Sequence, residues 1–169
     1  MMIYIVTALY PEAKPWIEYF QLKKRKTSSK FQIFQNEDIT LIISGIGVLS
    51  SSTATAHLLT VYHSSPNDTV FNIGIAGAVG NRYDLGETIL CHKITLHETK
   101  ESYYPDVLLS HDFKEGVLES FLHPVSKNQL SKVEGDLVDM EGAGFFHAAS
   151  SFLPPHHIFV IKIISDFLE

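Results

Sequence analysis

The chain has 169 residues, of which 45% are hydrophobic and 19% are charged, and its formal net charge is -6. This length and apolar content predict one globular domain with a substantial core. The acidic balance argues against general binding to nucleic acid or to an anionic membrane, so small molecules or other proteins are the expected partners.

Two further features favour a cytoplasmic protein. The only cysteine, Cys91, cannot form an internal disulfide, which fits a reducing compartment. The apolar N-terminus lacks the basic start and the cleavage site of a signal peptide, and no segment approaches the length of a membrane span. None of the histidine spacings is typical of a metal site, and no cofactor is expected.

The first part of the chain combines a strand-like run, a helical pattern and a hairpin. Residues 3–8 are apolar throughout, which is typical of a central strand covered on both faces. Pro11 and Glu12 suit the first turn of a helix, and we predict that the basic residues 23–26 lie at its C-terminal end. Two short apolar runs, the second ending at Ile43, predict a hairpin.

Two glycine-rich stretches then follow strands. Ser44-Gly45-Ile46-Gly47 precedes a predicted helix that extends to about His63. Residues 69–75 predict the next strand, and the glycines at every third position from Gly74 to Gly80 are assigned to the loop after it. Such glycines let the backbone approach a ligand closely, although a tight connection explains them equally well.

The second half of the chain completes an α/β alternation. In chain order it predicts a strand over 88–96, an irregular loop over 98–106, a short helix over 114–122, a loop or edge piece over 126–135, a helix over 140–151 and a final strand over 158–166. The fold class is therefore α/β, with a mixed central sheet and helices on both of its faces.

Two acidic motifs stand where predicted strands end. The first is Val138-Asp139-Met140-Glu141-Gly142-Ala143-Gly144, which opens a helix, and the second is Ile163-Ile164-Ser165-Asp166. Ligands of open α/β sheets bind at strand ends, so two carboxylates in such places indicate a site. The alternative is a glutamate that caps a helix and an aspartate in a turn.

These motifs carry a family resemblance. Asp139-Met140-Glu141-Gly142-Ala143 followed by Ile164-Ser165-Asp166 resembles the signature of the nucleoside phosphorylase and nucleosidase superfamily, and within it the 5′-methylthioadenosine/S-adenosylhomocysteine nucleosidase branch. The Ser-Gly-Ile-Gly stretch and the run 72–78 are also similar to family segments, with Ile75 where nucleosidases often carry serine. The resemblance implies a three-layer α/β/α sandwich and a site near the interface of a homodimer.

The resemblance also implies roles for individual residues in cleaving a purine N-glycosidic bond. Asp166 matches the acid that protonates the base, and Glu12 matches the residue that activates water. Glu141 matches the ligand of the ribose hydroxyls, and Met140 matches its neighbour packed on the ribose. The loop under the base and ribose corresponds to Ile75, Ala76 and Gly77.

Departures from the phosphorylases favour water over phosphate as the nucleophile. Phosphorylases that resemble this chain place an arginine where Asn72 stands, and carry a Gly-Asp-Pro-x-x-Arg segment where residues 9–12 stand. Arg82, the nearest arginine, lies beyond the glycine stretch. A phosphorylase with a different cation and a non-catalytic nucleoside-binding protein remain the alternatives.

The C-terminal region departs from the family as well. The resembled enzymes continue after Ile-Ser-Asp into another helix, whereas three residues follow Asp166. We therefore expect residues 1–169 to form a single domain without that helix, with a more hydrated Asp166 and weak activity favoured by acid. Lys162 stands where nucleosidases often have arginine, which predicts altered pairing around the acid.

Overall fold

The structure is a computed structural model and describes residues 1–168. Its strands are β1 (Ile3–Thr7), β2 (Lys23–Lys24), β3 (Gln32–Gln35), β4 (Ile39–Ile43), β5 (Thr69–Val79), β6 (Thr88–Leu96), β7 (Ser102–Tyr103), β8 (Lys114–Ser120), β9 (Leu137–Asp139) and β10 (Ile158–Leu168). Its α-helices are α1 (Tyr10–Tyr19), α2 (Val48–Val61) and α3 (Gly142–Ala149), and 3₁₀ turns cover Lys127–Lys132 and Pro155–His157.

The strands form one mixed sheet that closes on itself at one end. β5 pairs in parallel with β1 and with β10, and antiparallel with β9. β10 also pairs with β6, β6 pairs with β8, and β8 pairs with β9, so these four strands and β5 form a closed ring of five strands. β4, β3 and β2 extend the sheet outward from β1. β5 is thus the strand that joins the ring to the open part of the sheet.

The helices lie on opposite faces of this sheet. Alternate residues of each strand point to opposite faces, so Ile5 packs with Ala13 of α1, whereas Val6 packs in the core that contains Leu58 of α2 and Phe145 of α3. The α/β class, the mixed sheet and the helices on both faces are confirmed. No helix within residues 1–168 is long and apolar enough to cross a bilayer.

One glycine allows α2 and α3 to touch through their backbones. A Cβ atom on Gly144 would lie 2.0 Å from the carbonyl oxygen of Val48, which is far inside van der Waals contact. Only a residue without a side chain fits there. The first turns of both helices therefore meet at the edge of the sheet where the acidic motifs lie.

Two predicted segments are wrong. Residues 114–122 do not form a helix: Lys114–Ser120 is strand β8, because pairing with β6 and β9 overrides the helical preference of its lysine, glutamates and leucine. The basic run is not at a helix end either. α1 ends at Tyr19, and Lys23–Lys24 forms the edge strand β2, where lysines discourage pairing with another chain.

Two predicted strand ends and two predicted loops also differ from the structure. The strand predicted over 69–75 runs on to Val79, so Gly74 and Gly77 lie within β5 and not in a loop. β10 likewise continues to Leu168, so Asp166 lies inside a strand and not at its end. The loop predicted over 98–106 contains the short strand β7, and the stretch 126–135 contains a 3₁₀ turn.

Candidate active site

The acidic residues converge because of the directions of the strands. β1, β5 and β10 run parallel, so the start of α1, the end of β5 and the end of β10 lie at one edge of the sheet. β9 runs antiparallel to β5 and delivers the start of α3 to the same region. The motifs that are far apart in sequence are thus brought together around β5.

Glu12 is tied to two elements at once. Its Oε2 accepts hydrogen bonds from the backbone N–H groups of Ala8 and Leu9, both at 2.9 Å. Its Oε1 accepts one from the N–H of Ile75 at 3.2 Å, and a Cβ on Gly74 would lie 3.1 Å from that oxygen. Glu12 therefore caps the N-terminus of α1, and the same carboxylate also accepts a hydrogen bond from the central strand β5.

Glu141 is a buried carboxylate at the junction of α2 and α3. It is 9% exposed, and its Oε1 accepts a hydrogen bond from the N–H of Gly47 at 3.0 Å. Gly47 has φ of +110°, a conformation that side chains rarely allow. Burial raises the pKa of Glu141, and the nearby charge of Asp139 raises it further, against a smaller opposing effect of Lys162.

Beneath this carboxylate lies a buried ion pair. Lys162 Nζ is 2.8 Å from Asp139 Oδ2, and each side chain is 1% exposed. Burial lowers the pKa of Lys162, but Asp139 and Glu141 outweigh it, so the net pKa is raised. Lys162, for which altered pairing around Asp166 was predicted, is paired with Asp139, and a Cβ on Gly74 would lie 3.5 Å from its Nζ.

Asp139 in turn holds the first turn of α3. Its Oδ2 accepts a hydrogen bond from the N–H of Gly142 at 2.8 Å, and its Oδ1 accepts one from the hydroxyl of Ser120. The Ser120 oxygen accepts a hydrogen bond from the N–H of Ala143 at 3.0 Å. Sequence reasoning missed Ser120, because it lies in the segment that was predicted to be a helix.

We expect Lys162→Met to lower the free energy of unfolding by about 3–5 kcal/mol. Methionine matches the volume of lysine but leaves Asp139 buried without its cation. Chemical denaturation would measure the change. Lys162→Arg, which keeps the charge, should lose less, and Lys14→Met, at an exposed pair with Glu18, should lose less than about 1 kcal/mol. A loss for Lys162→Met as small as that of the Lys14 variant would contradict a stabilising role of the pair.

Asp166 lies against β5 farther along the strand. A β-bulge between Ile164 and Asp166 shifts the register, so that Asp166 stands opposite Gly77. A Cβ on Gly77 would lie 3.4 Å from Asp166 Oδ2. Asp166 is exposed even though Ile164 is 2% exposed, so the neighbouring isoleucines do not desolvate its carboxyl group.

The remaining candidate residues lie between these carboxylates. Ile75 is 50% exposed, Ala76 is buried and accepts a hydrogen bond from the Ser165 hydroxyl, and Met140 is half-buried before α3. Ile75 and Gly77 are two strand positions apart, roughly 7 Å. Glu12 and Asp166 therefore contact one strand at neighbouring places.

An apolar cleft opens beside Glu12. Its volume is about 350 Å³, and its lining residues are Leu9, Pro11, Glu12, Pro15, Trp16, Ile73, Gly74, Ile75 and Ile163. An apolar cavity of this size with one convergent charge is typical of a small-molecule site. The cleft adjoins the part of β5 that Glu12 and Lys162 approach.

The cations near the site are engaged elsewhere. Arg82 pairs with Asp136 at 3.1 Å, and Lys162 pairs with Asp139. Asn72 is 1% exposed, and its Nδ2 donates a hydrogen bond to the carbonyl of Val6 at 3.2 Å. The arrangement therefore offers carboxylates for proton transfer and for hydroxyl groups, and no arginine clamp for a phosphate among residues 1–168.

Comparison with known proteins identifies the fold class first. The structure matches solved nucleosidases over nearly its whole length. The match to the Neisseria meningitidis 5′-methylthioadenosine/S-adenosylhomocysteine nucleosidase in complex with methylthio-immucillin-A covers 98% of this chain and 85% of that chain, with 18% sequence identity and a TM-score of 0.82. The match to the Colwellia psychrerythraea 34H nucleosidase in complex with adenine covers 99% of this chain and 83% of that chain, with 20% sequence identity and a TM-score of 0.82.

Sequence comparison leads to the same branch. The chain is 32% identical over 102 residues to the 5′-methylthioadenosine/S-adenosylhomocysteine nucleosidase of Buchnera aphidicola subsp. Acyrthosiphon pisum. This match covers 58% of the chain and 43% of the relative, so less than half of the relative's length is spanned. No family model matches. Sequence and fold together confirm the resemblance to the nucleoside phosphorylase and nucleosidase superfamily and to its methylthioadenosine/S-adenosylhomocysteine nucleosidase branch.

Proposed function

We propose that this protein hydrolyses the N-glycosidic bond of a purine nucleoside of the methylthioadenosine/S-adenosylhomocysteine type. The observation that carries the proposal is the placement of Glu12 and Asp166 at neighbouring positions of β5. The names of the sequence relatives and of the structural neighbours support the same reaction. Two carboxylates on either side of a glycosidic bond supply an acid and a base.

Asp166 is the proposed acid. The base leaves more easily when its N7 atom gains a proton, because the electron pair of the breaking bond then enters a positively charged ring and the base departs as a neutral molecule. Asp166 lies beside Gly77, a residue without a side chain, so a flat ring bound at Gly77 would lie against this carboxyl group. Because Asp166 is exposed, we propose that turnover is weak.

Glu12 is the proposed residue that activates water. Its carboxylate is held by three backbone N–H groups, so its position is defined before a ligand arrives. As the base departs, a water molecule attacks C1′ of the ribose and transfers a proton to Glu12.

Glu141 and its neighbours are proposed to bind the ribose. A buried carboxylate accepts hydrogen bonds from two ribose hydroxyls and stabilises the positive charge that grows on the sugar. Met140 packs against the ribose, and the backbone of Ile75, Ala76 and Gly77 lines the base and sugar. Because Ile75 carries no hydroxyl, contacts at this position are made by its backbone.

We expect free base to appear without phosphate. Arg82 and Lys162, the cations near the proposed site within residues 1–168, are paired with carboxylates, which disfavours phosphate as the nucleophile. Chromatography of a panel of purine nucleosides, incubated with and without phosphate, would measure the products. A phosphate requirement with ribose 1-phosphate as product would favour the alternative, a phosphorylase. Ligand binding without any product would favour a non-catalytic relative.

We also propose a homodimer in the cytoplasm. Four apolar side chains at the starts of α1 and α2 are exposed next to the site: Leu9, Tyr10, Ile46 and Leu49. An exposed apolar patch of this kind is typical of a protein interface. Light scattering should give twice the chain mass, and Leu49→Glu should shift it to the monomer. The lone, buried Cys91 is compatible with a reducing compartment.

A further inference from the structure

β10 continues beyond Asp166. β10 continues along β5, with Phe167 opposite Ala78 and Leu168 opposite Val79. The Leu168 side chain leans back over Gly77. A Cβ on Gly77 would lie 3.2 Å from Leu168 Cγ and 3.3 Å from its Cδ2.

Gly77 is needed for space and not for its backbone conformation. Its φ is not positive, so any residue could adopt its backbone geometry. The room that a missing side chain leaves is taken up by Leu168 and by the carboxyl group of Asp166. A purine ring that contacts Gly77 next to Asp166 would require the same room.

The end of β10 is held more weakly than its middle. The pairing of β10 with β6 covers Ile161 to Ile163, so Asp166 and Leu168 are paired only with β5. Phe167 between them is 39% exposed. A strand segment that pairs on one side only opens at a lower free-energy cost than strands that pair on both sides.

We propose that Leu168 controls access to the base end of the site, and that it must move from Gly77 before a purine ring can bind beside Asp166. This inference rests on the proposed nucleosidase function. It makes Leu168 a residue that weakens ligand binding, because part of the binding free energy displaces its side chain.

Calorimetric titration with adenine would test this inference. We expect Leu168→Ala to bind adenine roughly tenfold more tightly than the natural chain, because less apolar contact has to be broken. Phe167→Ala is the matched control, since Phe167 lies on the same strand segment without covering Gly77, and its affinity should be unchanged. In the natural chain with ¹³C-labelled leucine methyl groups, the signal that Leu168→Ala removes should shift on titration with adenine.

The outcomes separate the two proposals. Equal affinities of the natural chain and Leu168→Ala, with base still released from nucleosides, would overturn the inference and leave the proposed function standing. Tighter binding by Leu168→Ala without base release by either chain would support the inference and overturn the hydrolytic function. Failure of every variant to bind adenine would overturn both.

Discussion

Asp166→Asn is expected to abolish base release almost completely while a purine nucleoside still binds. Asparagine keeps the size and shape of aspartate, but its amide is far too weak an acid to protonate the base, and a general acid contributes about 10²–10⁴ to a rate. Single-turnover measurements of base release, together with calorimetric binding, would separate the two effects. Stability should change little, because Asp166 is exposed and forms no ion pair with the described residues.

A second aspartate provides the control for this prediction. Asp112 is exposed on the loop before β8, and Asp112→Asn should leave turnover unchanged. Unchanged turnover in Asp166→Asn would show that this residue is not the acid. The proposal would then have to place proton donation elsewhere along the sheet edge.

Glu141→Gln is expected to lower turnover by roughly 10²–10³ without a matching loss of stability. The variant keeps the shape of the side chain and one acceptor for the N–H of Gly47, but it removes the negative charge opposite the developing charge on the ribose. Turnover and thermal unfolding of the same preparation would be compared. Glu18→Gln, at an exposed position, should leave both unchanged.

The pH dependence of stability provides an independent check on Glu141. Its pKa is raised in the folded protein, so the folded state holds this proton more tightly than the unfolded state. Protonated Glu141 therefore contributes its full stabilisation below the ordinary glutamate pKa of the unfolded chain. This stabilisation is lost as the pH rises through the raised pKa of Glu141 in the folded protein. Glu141→Gln should therefore gain stability relative to the natural chain between acid and neutral pH. A variant that unfolds at all pH values would identify Glu141 as a structural link between α2 and α3.

The strongest sequence signals were those with a local cause. The apolar run at residues 3–8 and the alternation at 88–96 became β1 and β6, because covered strands and half-covered strands differ in their apolar pattern. The acidic motif predicted a helix beginning at residue 140, and α3 begins at Gly142. These features depend on neighbours in the chain, and a single sequence contains that information.

Features that depend on distant partners were predicted poorly. Residues 114–120 have helix-forming side chains, but β6 on one side and β9 on the other draw them into the sheet. Gly74 and Gly77 resembled a loop, and they lie within β5 because β10 pairs along its whole length. Strand pairing gains stability from residues far away in sequence, so local preference cannot reveal it.

The sequence by itself determined the α/β class, the two acidic motifs and the candidate residues Glu12, Glu141 and Asp166, because a local residue pattern or a family signature indicates each of them. Only the tertiary structure decided what these residues contact. It paired Lys162 with Asp139, tied Glu12 to β5 and laid Leu168 over Gly77. The physical reason is that hydrogen bonds and ion pairs form between atoms a few ångströms apart, and that proximity arises from strand register and helix packing rather than from sequence spacing.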